Sequence, residues 1–393
     1  MGRKAEFSFR FVPSGTVAPE ILTENEVWLD VGNRSNSRVL DHHGGDTDAQ
    51  SASELVLHQF DRLVQPYISA NKEIILVSHT TPDLDAICAI WLIQKTINGM
   101  LTANIGTAVE QIVQIVSEND QGLVQTKQLE TCWPIIFRQR LGTEIPRLET
   151  DVDRVDLGIH LLEQTLDTLL KGESLTDASM RLITAPIETN LSKAYDDYLS
   201  DVSSGNLFQL YLPFHNPPVK IEKKPQNSPS KTDTKWGIAD GLFLNHPRSA
   251  LFKELARGDT ERSSLGKGFS FMIVAFDTKQ QYGKQVLRRY IISTNPRMGF
   301  HLQGLGKMLE SEEQTKELQS GESLLPGRER VGIGNGRHGY NVVSPWYDGR
   351  GHYFTIIDSP AVTVGSQKLY ASSLTPDEVF SVVQAYGTLS NQV

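Results

Sequence analysis

One passage, residues 74–93, constrains this chain more than any other. Ile74-Ile75-Leu76-Val77 is a short β-branched run between Lys72-Glu73 and a polar turn, the pattern of a buried strand. Ala86-Ile87-Cys88-Ala89-Ile90-Trp91-Leu92-Ile93 follows without Gly or Pro and predicts a buried helix. Between them lies Ser78-His79-Thr80-Thr81-Pro82-Asp83-Leu84-Asp85. One imidazole and two carboxylates thus stand within seven residues where a strand hands over to a helix. Asp83 and Asp85 are two apart, so in an extended turn their side chains diverge and serve two different centres. Apolar packing does not require that arrangement; a pair of metal ions does.

The chain supplies further ligands earlier. Glu26-Val27-Trp28-Leu29-Asp30-Val31-Gly32 reads as a strand ending in Asp30, and Arg38-Val39-Leu40-Asp41-His42-His43-Gly44-Gly45 as a second, ending in an acid and two imidazoles. Any one of these residues alone is an ordinary turn or cap residue. Three strands ending in such residues point instead to a metal site, because sites in open parallel sheets form outside the carboxyl ends of the strands.

Asp41-His42-His43 together with His79-x-x-x-Asp83-x-Asp85 resembles the DHH phosphoesterase superfamily, over about residues 20 to 125. That family includes manganese-dependent pyrophosphatases, exopolyphosphatases, single-strand exonucleases and hydrolases of short oligonucleotides and cyclic dinucleotides. In the family the His-x-x-x-Asp-x-Asp motif precedes the lone Asp and Asp-His-His; here Asp30 and Asp41-His42-His43 come first, as in a circular permutation. The resemblance implies two divalent ions, manganese first, with magnesium or cobalt as alternatives that the mixed imidazole–carboxylate set also suits. It implies that His79 and Asp83 hold one ion, that His42, Asp85 and Asp120 hold the other, and that Asp30 bridges them. His43 would then touch the substrate phosphate, with Asp41 orienting an imidazole from behind. Asp120, in Ser117-Glu118-Asn119-Asp120-Gln121-Gly122 at the end of a helix through Ala108–Val116, is one choice for the last ligand; Asp151, Asp153 and Asp156 are the competing choice.

At 393 residues, two domains are expected. The expected organisation is α/β: a parallel sheet flanked by helices over 1–212, a linker or long loop at 213–235, and a smaller α+β domain over 236–393. The linker expectation rests on Asn216-Pro217-Pro218 and the Lys-, Ser- and Pro-rich run 223–231. No apolar run approaches the roughly 18 residues of a membrane span, the start lacks an apolar signal region, and Cys88 and Cys132 are too few for a disulfide scaffold. A soluble, cytoplasmic protein is the expectation. The net charge of -9 disfavours a long nucleic-acid track but allows a local basic pocket.

Phe7–Val12 alternates and predicts an edge strand. Ser51 and Glu54 spell a capping box, whose helix N-terminus either offers its N–H groups to a phosphate or is simply capped. Asp46, Asp48 and His58 read as solvated. Residues 155–202 are helical with apolar spacing. In the second half, Phe269–Phe276, Arg289–Thr294 and Tyr353–Asp358 predict strands, Leu305–Leu318 a charged helix, and Thr375-Pro376-Asp377-Glu378 the start of a last helix. Two loops, Gly332–Gly339 and Pro345–His352, combine glycines with basic residues, and by analogy with the family Arg337, His338, Arg350 and His352 are candidate substrate contacts. Arg248 and Arg297 are weaker ones.

The resulting expectation is a two-metal phosphoesterase cleaving a phosphoanhydride or phosphodiester in a small phosphorylated substrate: a short oligonucleotide, a cyclic dinucleotide or pyrophosphate. Two alternatives stand beside it. One is a binding or adaptor module that keeps the metal fold and recruits a protein through its C-terminal half; the other is a single-strand nuclease, which needs an electropositive groove.

Overall fold

A computed structural model describes residues 5–44, 49–69, 72–144, 150–214, 235–282, 285–302, 304–320, 346–348, 356–358, 362–364, 367–369 and 372–389. The chain divides into two compact units, Met1–Val124 with Gln128–Ser192, and Gln125–Lys127 with Lys193–Val393.

The first unit begins with β1 (Phe7–Val12), β2 (Glu26–Leu29), β3 (Ser35–Asn36), β4 (Val39–Leu40), α1 (Ala52–Leu63) and β5 (Ile74–His79). The helices α2 (Leu84–Ile97), α3 (Ala103–Asp120), α4 (Trp133–Glu144), α5 (Asp151–Leu170) and α6 (Leu175–Leu182) follow. Five strands form one sheet in the order β1-β5-β2-β4-β3. The pairings β1–β5, β5–β2 and β2–β4 are parallel, and only the two-residue β3 runs antiparallel. The sheet is thus mixed but mostly parallel, with β1 at an edge as its alternation suggests. Because four strands point the same way, the residues that follow β2, β4 and β5 emerge at one end of the sheet.

The apolar run 86–93 becomes α2, in which every residue from Leu84 to Ile93 is buried. Asp83 caps it, accepting from the N–H groups of Asp85 and Ala86 at 3.0 and 3.1 Å. A helix apolar all round needs partners all round: α2 packs on β2 and β5 and on α1, α3, α4 and α5. Against α5 the approach is close enough to require Gly158, where an added Cβ would lie 2.7 Å from Ile87. On the other face of the sheet Trp28, Val39 and Val77 pack with Ala18 and Leu22 from the segment between β1 and β2. The stretch expected to be helical breaks into α5, α6 and α7 (Ala185–Ser204). Capping boxes at Thr150/Asp153 and Ser174/Asp177 start the first two, and Pro186 sits in the first turn of the third, where its missing N–H costs nothing.

The second unit contains β6 (Asn206–Phe214), β7 (Lys235–Asn245), α8 (Phe252–Gly258), β8 (Phe271–Tyr282), β9 (Gln285–Thr294) and α9 (Leu305–Ser320). Then come β10 (Tyr347–Asp348), β11 (Ile356–Asp358), the paired β12 (Val362–Val364) and β13 (Gln367–Leu369), and α10 (Pro376–Leu389). Its six-stranded sheet runs β10-β11-β9-β8-β7-β6 and is antiparallel except for β7–β8. Leu210, Leu212, Phe271, Ile273 and Ile292 from the sheet pack with Leu305 and Leu309 of α9 and Val379 and Val383 of α10. Trp346 stacks on Tyr290 at 5.5 Å, and the capping box at Thr375 and Glu378 forms as its spelling predicts.

The boundary expected at 213–235 is displaced. Residues 206–214 and 235–245 are neighbouring strands of one sheet, and the two units part within α7 instead. The second unit is also not the smaller of the two. A polar, Pro-rich run looks the same whether it joins domains or paired strands, and only pairing separates the cases. Residues 215–234 themselves lie outside the described residues. Among the described residues no helix is long and apolar enough to cross a membrane.

Candidate metal centre

At the common end of the parallel strands, each chain segment delivers one or two ligand-type side chains. Asp30 directly follows β2 and is 5% exposed. Its backbone is left-handed, with φ 58°, a conformation Asp tolerates better than most residues, and its N–H donates to Leu40 O at 3.0 Å. Asp41 follows β4, and His42 and His43 begin a short 3-10 turn. His79 is the last residue of β5, Asp83 caps α2, Asp85 lies in its first turn, and Asp120 is the last residue of α3.

These residues meet. His79 Nε2 lies 3.4 Å from Asp30 Oδ2 and 4.0 Å from Asp83 Oδ1. His42 Nε2 lies 3.5 Å from Asp30 Oδ1 and 3.2 Å from Asp120 Oδ2. Three groups place one donor atom from each member within 4.8 Å of the others: Asp30–His79–Asp83, Asp30–His42–His43 and His42–Asp85–Asp120. Each could hold a metal ion, and Asp30 and His42 each belong to two of them. Asp120, and none of Asp151, Asp153 and Asp156, joins such a group. Those three serve elsewhere: Asp151 Oδ1 accepts from Thr81 N at 3.0 Å, Asp153 caps α5 with Thr150, and Asp156 is exposed.

The electrostatics are those of a crowded acidic cluster around two imidazoles. Burial disfavours a charge on His42, but the carboxylates of Asp30 and Asp120 outweigh it and raise its pKa to about 10. His79 rises to about 9 for the same reason, with Asp30 and Asp83 as its partners. Burial and the Asp30 charge push Asp85 up to about 7. Asp120 is pushed well above the ordinary range by burial; His42 opposes that shift, and repulsion from Asp85 and Asp30 adds to it. Asp30 goes the other way: burial opposes its charge, yet the neighbouring imidazoles hold its carboxyl below the usual range. Protons hold this cluster together, and a cation can take their place.

Behind the cluster, Asp41 is buried and accepts from His43 Nδ1 at 2.6 Å, His43 N at 3.0 Å and Asn33 N at 2.6 Å. It therefore orients His43, whose side chain remains 43% exposed. Asp85 has a second task that the sequence did not announce. Its two oxygens accept from the N–H groups of Ala52 and Ser53 at 2.6 and 3.0 Å, so the α1 N-terminus is occupied by a carboxylate. That overturns its reading as a phosphate cradle in favour of the ordinary cap: Ser51 Oγ accepts from Glu54 N at 3.1 Å.

Sequence reasoning also passed over Arg154, whose Nε donates to Pro82 O at 2.6 Å. The only available signal was a lone cation among Asp151, Asp153 and Asp156. Of the expected substrate contacts, Arg337, His338, Arg350 and His352 lie outside the described residues, as do Asp46 and Asp48. His58 is exposed. Comparison with protein-family models, with curated proteins and with solved structures finds no match to this chain.

Proposed function

We propose that the chain is a metal-dependent phosphoesterase that hydrolyses a phosphoanhydride or phosphodiester in a small phosphorylated molecule, such as a short oligonucleotide, a cyclic dinucleotide or pyrophosphate. One observation carries this reading: a single buried carboxylate, Asp30, stands between two imidazole–carboxylate donor groups, one at His79 and Asp83 and the other at His42, Asp85 and Asp120. The motif spelling shared with DHH phosphoesterases supports it.

The residues fit divalent ions. Asp30 Oδ1 and His42 Nε2 are sealed from solvent and lack a hydrogen-bond partner. The donors are oxygen and imidazole nitrogen without thiolate, a set that suits manganese, with magnesium or cobalt as alternatives. His79, Asp83 and Asp30 would hold one ion, and His42, Asp85, Asp120 and Asp30 the other. Bound there, the ions supply Lewis acidity toward a phosphoryl oxygen and a lowered water pKa. The chain's own contribution is positioning. Asp41 orients the His43 ring by accepting from Nδ1, so that the other ring nitrogen, when it too carries a proton, would donate to a substrate phosphate. Asp85, tied to the start of α1, keeps one carboxylate from swinging away.

The test is hydrolysis by the purified chain with Mn²⁺ of pyrophosphate, polyphosphate, a dinucleotide, a cyclic dinucleotide and single-stranded DNA, beside an Asp83→Ala/Asp85→Ala control. Turnover of one class, lost in the control, is expected. A protein that binds no Mn²⁺ and turns over none of them would refute the reading.

A further inference from the structure

The first turn of α5 clamps the loop that carries Asp83. Asp151 takes the N–H of Thr81, whose φ of 56° is left-handed, and Arg154 donates through Nε to the carbonyl of Pro82, the residue before Asp83. We propose that Arg154 is also a substrate-binding residue, whose two terminal nitrogens grip a phosphoryl group at the metal cluster; this rests on the phosphoesterase reading.

Three features carry the assignment. First, the Nε contact uses one of five donors and fixes the guanidinium plane. The terminal nitrogens have no hydrogen-bond or ion-pair partner among the described residues. Second, the side chain is half-buried beside the cluster. Burial weighs against its charge, and the carboxylates that favour it are Asp83 and Asp151. A cation that has burial against it, and only the longer-range charges of Asp83 and Asp151 in its favour, suits an anion that arrives from solution. Third, the cluster it borders places four carboxylates, Asp30, Asp83, Asp85 and Asp120, around two imidazoles, so a phosphate approaching it gains from a positive group at its edge. A guanidinium can anchor through Nε and still present a planar two-donor fork to phosphoryl oxygens; an ammonium cannot do both.

The experiment is calorimetric titration of inorganic phosphate into the Mn²⁺-loaded full chain, comparing wild type, Arg154→Gln and Arg154→Lys. Bound Mn²⁺ is counted, and thermal midpoints are taken in chelator. We expect phosphate affinity to fall about 10–100-fold in Arg154→Gln, the range of a charged hydrogen-bond pair. Arg154→Lys should fall between the two; Mn²⁺ content should be unchanged in both variants, and the midpoint in chelator should fall in Arg154→Gln through the lost contact to Pro82. Equal phosphate affinity in all three proteins, each fully loaded, overturns the Arg154 assignment and leaves the phosphoesterase reading standing. Phosphate affinity lost only in step with Mn²⁺ in both variants also overturns it, in favour of loop support alone. A wild type that takes up no Mn²⁺ overturns the phosphoesterase reading, and the Arg154 assignment with it.

Discussion

His42 Nε2 faces Asp30 Oδ1 at 3.5 Å, both atoms are sealed from water, and neither makes a hydrogen bond. Buried polar atoms are rarely left this way, and here both belong to groups with metal-ligand geometry. Replacing Asp30 should therefore disturb both donor groups at once. Asp30→Asn is expected to lower bound Mn²⁺ from two per chain to one or none and to abolish hydrolysis. Metal analysis after gel filtration checks the first, and a variant that keeps two ions would remove Asp30 from its shared role.

The stability of the metal-free protein should fall as pH rises. His42 and His79 are raised from 6.5 to about 10 and about 9, because the carboxylates around them, Asp30 with Asp120 at His42 and Asp30 with Asp83 at His79, together outweigh the burial of each ring. Both hold their protons more tightly folded than unfolded. Their stabilisation is complete below pH 6.5 and is lost as pH climbs through 9 to 10. Asp85, raised from 3.8 to about 7 by burial and by Asp30, has the same sign in a lower window. Mn²⁺ bound at the cluster would replace those protons, so a metal-induced rise in thermal midpoint should widen from pH 6.5 to pH 9. Midpoints measured with chelator and with Mn²⁺ across that range decide it.

Two acids of the same donor group should behave oppositely when metal is stripped. Asp120 is a burdened carboxylate, pushed up by burial and by Asp85 and Asp30, so Asp120→Asn is expected to raise the midpoint in chelator at pH 8 while weakening Mn²⁺ binding. Asp85 holds two N–H groups of α1. Asp85→Ala should cost about 1–2 kcal/mol even without metal, the range of a lost N-cap. Urea unfolding of the two variants side by side tests the contrast.

Asp41 touches His43 and reaches the cluster only through it. Asp41→Asn is expected to lower turnover about 10–100-fold, the usual cost of losing a residue that orients a ligand or catalytic imidazole, while the Mn²⁺ count stays at two. A matching loss of metal would place Asp41 among the ligands instead.

The α2–α5 contact has no slack. Gly158→Ala would set a methyl 2.7 Å from Ile87 and should destabilise the protein by about 1–3 kcal/mol through overpacking. Adding Ile87→Ala should recover part of that loss. If the double variant is no better than the single one, the strain lies elsewhere.

The local elements were legible in the sequence because their causes are local. The β-branched run 74–77, the unbroken apolar run 86–93 and the caps at Ser51 and Thr375 each act within a few residues, and each forms where its pattern lies. The ligand-type residues were legible too, since Asp41-His42-His43 and His79-x-x-x-Asp83-x-Asp85 gather imidazoles and carboxylates at strand ends, where apolar packing does not need them. What the sequence left open was decided by contacts across long separations. Asp120 rather than Asp151, Asp153 or Asp156 joins His42, because α3 ends at the cluster whereas α5 begins behind the 80–83 loop. Asp85 caps a helix more than thirty residues away in the chain, a task that no neighbouring residue advertises. The polar run 213–235 separates two paired strands, which composition cannot report because pairing is a property of both partners. Residue type and short spacing set what each segment can offer; the parallel packing of β1, β5, β2 and β4 set which offers meet.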